Sequence, residues 1–94
     1  MRISEQEFER IVNGIYDDRA IILQYNPIGT PEETLLWMLL GCLISYLNLS
    51  EQETPCFPGK PNAETYHAAI LFVLNGRIES KFEPNIYLKK LSEK

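Results

Sequence analysis

The chain reads as all-α, a small bundle of three long helices plus a short C-terminal helix, built around a central helix at about residues 31–49. Three observations carry that reading. Apolar residues recur at helical rather than alternating spacing, three segments open on side chains that cap helices, and the prolines fall between those segments rather than inside them. Ninety-four residues leave room for a single domain, 1–94.

The first helix opens at Ser4-Glu5-Gln6-Glu7, which has capping-box spacing with Ser4 as N-cap and Glu7 at N3. Phe8, Ile11, Val12, Ile15, Tyr16, Ile22 and Leu23 then fall within about 140° of one another at 100° per residue. The expectation is one amphipathic helix from about residue 4 to 25, weakened at Gly14 by up to about 1 kcal/mol relative to alanine and ended by Asn26-Pro27. Three residues resist this pattern. Arg19 interrupts the apolar stripe, and Ile21 and Tyr25 lie off it.

Asn26-Pro27-Ile28-Gly29 reads as a turn, and Thr30-Pro31-Glu32-Glu33 is the strongest local signal in the chain. Thr30 caps, Pro31 takes the first helical position, and the two glutamates complement the positive end of the helix dipole. The helix that follows is apolar around nearly its whole circumference, so it belongs at the centre of the assembly. One strip differs: Gly41, Ser45 and Asn48, at spacings of four and three, are small or polar. Small residues one turn apart let another helix approach closely, and an amide can fix register, which makes these three interface candidates.

Residues 50–62, with three prolines and a glycine, form a loop of unusual length. A third long helix starts at the Asn62 cap and runs through Leu74 to Asn75-Gly76. The same stretch has a competing α+β reading, because ILFVL-NG-RIESKF also fits a C-terminal hairpin with an Asn-Gly turn. The capping signals and Ala63, Ala68 and Ala69 favour the helix. Residues 85–92, after Pro84, give the short terminal helix.

The formal charge of −4 opposes nucleic-acid binding, since phosphate affinity comes mainly from lysine and arginine. That charge is uneven. Residues 1–76 carry only Arg2, Arg10, Arg19 and Lys60 against ten acids, whereas residues 77–94 hold Arg77, Lys81, Lys89, Lys90 and Lys94. Leu35–Leu49 is too short and too interrupted to span a membrane, and the start lacks the apolar region of a signal peptide. Two cysteines, Cys42 and Cys56, make neither a disulfide framework nor a zinc site, so a reducing, cytoplasmic location is expected.

No catalytic motif, metal site or cofactor signature stands out, and the chain leans away from an enzyme. His67, the only histidine, would serve as an acid/base if Cys56 folded over as a nucleophile, but nothing in the spacing requires that pairing. Asp17-Asp18 and Glu51-Gln52-Glu53 read as solvated acidic faces. Two functions remain in view. A chain this short buries roughly 60–65% of its unfolded surface, so the apolar excess in 35–49 and 68–74 points to a homodimer acting as a protein-interaction or regulatory module, with another protein as a further partner. The alternative is a small-molecule binder with a pocket between helices, lined by Trp37, Tyr46 and Tyr66 and anchored by His67 or Arg19.

Overall fold

The computed structural model describes residues 2–25, 27–79 and 82–92. Among them the fold is all-α, with helices α1 (Glu5–Asp17), α2 (Arg19–Tyr25), α3 (Pro31–Tyr46), α4 (Ala63–Leu74) and α5 (Pro84–Ser92), and one short 3₁₀ turn at Glu51–Glu53. The expected caps form. Ser4, Thr30 and Asn62 each accept a hydrogen bond from the backbone N–H three residues on, at 3.2, 3.2 and 2.9 Å.

Two expectations need correcting, and the competing hairpin reading gives way to the favoured helix. The single helix over 4–25 is two helices, broken at Asp18, whose backbone sits at φ −92°, ψ 8°. The break is stabilised locally: the Arg19 guanidinium donates to the Tyr16 carbonyl at 2.6 Å and lies 3.9 Å from the centre of the Tyr16 ring. Arg19 is exposed at this break, and Ile21 and Tyr25, off the apolar stripe, face solvent. Asn26, read as the stop signal, lies outside the described residues, as do Lys81 and Lys94 of the basic tail.

The central helix ends at Tyr46 rather than at 49. Leu49 N–H donates to the Ile44 carbonyl at 3.1 Å and Asn48 N–H to Ser45 at 3.2 Å, with Asn48 at φ 53°. This is a Schellman stop with asparagine in the left-handed position. Asn48 is therefore a backbone terminator, off the helical strip that Gly41 and Ser45 share.

The hairpin is absent from the described residues. Residues 71–74 are helical, and Arg77 N–H closes a turn on the Leu74 carbonyl at 2.9 Å with Gly76 at φ 75°. Asn75 at φ −60°, ψ 120° makes this a type II turn, which suits helix exit rather than strand return. Ile78 pairs instead with Ile3 in an isolated parallel bridge. Ile3 donates to the Arg77 carbonyl at 2.8 Å and is fully buried.

The core forms where α3 meets the other helices. Leu35, Leu36, Leu39, Leu40 and Leu43 are buried on α3, Phe8, Val12 and Ile15 on α1, and Ile70, Val73 and Leu74 on α4. Thr34 is the single buried polar residue among those described, and its hydroxyl accepts from Ile28 N–H at 2.9 Å while facing the carbonyls of Ile28 and Thr30. The 50–62 loop is pinned at two points. Glu53 pairs with Arg77 at 2.8 Å, and Phe57 packs edge-on to Tyr66 with centroids 5.4 Å apart.

Candidate functional site: an open groove between α1–α2 and α3

The other four described helices do not cover α3 on every side. α4, α5 and α1 take its leucine face, and the opposite flank stays open. The chain runs along α1 and α2, turns through residues 27–30 and returns along α3, which sets Arg10 near Tyr46. A groove of about 570 Å³ lies between the two limbs, floored by Ile11, Ile15, Ile22, Met38, Cys42 and Tyr46. An adjoining hollow of about 290 Å³ continues it past Trp37 and shares Met38, Cys42 and Ser45.

Two rows of residues border this surface. On α1 and its C-cap, Arg10, Gly14 and Asp18 follow one another at four-residue spacing. On α3, Trp37, Gly41 and Ser45 do the same. A side chain at either glycine would meet nothing within 4 Å, so no element of the described chain requires the small residue there. Trp37 is 40% exposed, a large apolar ring left partly in water.

The charges on the groove are few. Arg10 donates from Nε to Glu7 at 2.5 Å and from Nη2 at 2.9 Å; this contact lowers the Glu7 pKa and raises that of Arg10. Arg10 Nη1 and the Asp18 carboxylate have no partner among the described residues. Burial pushes the Cys42 thiol up, which keeps it protonated near neutral pH and suits a packing role over a nucleophilic one.

The residues expected to line one ligand pocket are distributed over several places. Trp37 and Tyr46 border the adjoining hollows of the groove. Tyr66 is buried on α4 against Phe57; burial, and secondarily the nearby Glu33 carboxylate, raises its pKa. Arg19 is exposed on Tyr16 and borders neither hollow. His67 faces a separate depression of about 460 Å³ with Glu32, Glu64, Asn85 and Lys89, which Cys56 does not border. No three metal-ligating groups converge among the described residues. A further apolar depression of about 490 Å³ lies beside the exposed Phe72, with Leu71, Ile78 and Pro84.

Gly41, Ser45 and Trp37 were visible in the sequence as candidates. Arg10 and Gly14 carry no functional reading in the sequence and Asp18 only that of a solvated acidic face, although a mid-helix glycine centred between two residues four away is a signal. No family model, curated protein or solved structure matches this chain. No described helix is long and apolar enough to cross a membrane.

Proposed function

We propose that the protein is a non-enzymatic interaction or regulatory module that works as a homodimer through the α1–α3 groove. The observation that carries this reading is the groove itself: an apolar channel, open along its length, with Trp37 standing at its border. An enclosed ligand site would surround a small molecule with convergent polar groups. Here the aromatic and polar candidates are dispersed instead, which favours a flat partner over a small one. The 50–62 loop, held by Glu53–Arg77 and Phe57–Tyr66, is left on a different part of the surface for a second protein.

Light scattering across a concentration series tests the reading. The expected result is a mass twice 10.9 kDa, shifting to the monomer in Trp37→Glu. A wild-type chain that stays monomeric at high micromolar concentration rejects it.

A further inference from the structure

The two rows bordering the groove match a second copy of themselves. Each has a glycine at its midpoint, and each is asymmetric about that midpoint in a complementary way. Along α1 and its C-cap a cation at Arg10 balances an anion at Asp18, four residues either side of Gly14. On α3 a large ring at Trp37 balances a small hydroxyl at Ser45, four residues either side of Gly41.

We infer that two copies pack groove to groove about a two-fold axis that crosses α1 at Gly14 and α3 at Gly41, each helix lying antiparallel on its own counterpart. The inference rests on the homodimer reading above and specifies its geometry. A two-fold interface brings residue i against j and j against i. Reversal about Gly14 therefore sets Arg10 of one protomer against the partner's Asp18, twice. Reversal about Gly41 sets Trp37 over the partner's Ser45, also twice. Both rows span nine residues, eight steps that total about 12 Å at helical rise, so a single axis serves them together.

The charges support a copy of this chain over an unrelated partner. Each groove carries one cation and one anion, so a second groove, reversed, answers both without help from the acidic remainder of the molecule. Arg10 holds Glu7 through Nε and Nη2, leaving Nη1 for the partner's Asp18. The glycines then have a use that the single chain does not supply: they mark the two points where backbones approach most closely.

Cysteine cross-linking of the full chain tests the geometry, in a Cys42→Ser, Cys56→Ser background with circular dichroism as the folding control. Gly14→Cys and Gly41→Cys lie on the axis, so each is expected to form a covalent dimer under mild oxidant. Ser45→Cys alone is not, but mixed with Trp37→Cys it is. Arg10→Asp and Asp18→Arg each place like charges together and are expected to weaken association by about tenfold or more, and the double variant to recover most of that loss. A protein that is dimeric by light scattering but cross-links through Phe72→Cys and not through either glycine position overturns this arrangement while leaving self-association standing. A protein that is monomeric overturns both.

Discussion

At the scale of single residues, the buried threonine and the loop glutamate make the sharpest tests. Thr34 joins the 27–30 turn to α3 through one hydroxyl, and Thr34→Val keeps the shape while leaving Ile28 N–H without its acceptor. The expected loss is about 1–3 kcal/mol, readable by urea denaturation. Glu53 behaves differently because it is exposed. The Ser50 backbone N–H, then its hydroxyl, then Arg77 hold its carboxyl below the ordinary 4.5. A carboxylate depressed on folding stabilises above its unfolded pKa, and that contribution is lost as pH falls through the folded value. Acid below about pH 4.5 is therefore expected to release the 50–54 turn before the core opens, seen as a fall in hydrogen-exchange protection of the Ser50 amide relative to its intrinsic rate at each pH. Protection at Ser50 that stays constant while that of the core amides falls would contradict this order.

At the scale of elements, the caps and the stops at Tyr25 and Leu74 were legible, whereas the break at Asp18 and the early end of α3 were not. Ser4, Thr30-Pro31 and Asn62 announce helix starts because a cap is a local hydrogen bond between residues three apart. The break at Asp18 depends on Arg19 folding back onto Tyr16, which periodicity cannot show. Asn48 and Gly76 both carry positive φ, but one closes a Schellman stop and the other a type II turn, a distinction that needs the neighbouring dihedrals. Gly41 and Ser45 were readable as a pair from one helix, whereas the place of Trp37 beside them, in place of Asn48, and the counterpart row at Arg10 and Gly14 gain meaning only once tertiary packing lays the two helices side by side. Arg19→Ala is expected to cost about 0.5–1 kcal/mol, the range for an exposed cation–π contact, with amide exchange accelerating in α2, which has no buried residue. Gly14→Ala should pull two quantities apart. It is expected to raise the stability of the monomer by up to about 1 kcal/mol through helix propensity, while weakening self-association, which equilibrium denaturation and light scattering report separately.

At the scale of the whole molecule, ordinary composition and excess apolar surface coexist because α3 has more apolar sides than its own chain can cover. Ile21, Tyr25, Trp37, Phe72 and Ile86 are all exposed. Ligand linkage makes a consequence measurable: a homodimer stabilises the folded state by mass action, so its melting temperature is expected to rise with protein concentration. Trp37→Glu should abolish that dependence while leaving the dilute-limit value nearly unchanged, since the ring contributes little to the single-chain core.

The Ile3–Ile78 bridge also has a consequence for the order in which the chain is made. Ile3 is translated about 75 residues before the backbone groups it bonds, at Arg77 and Glu79, a delay of roughly 4–15 s at 5–20 residues per second. Until then the nascent chain can close its α1–α3 contacts but not its amino-terminal seam. This fastening thus joins segments about 75 residues apart in the chain, and translation itself delays it.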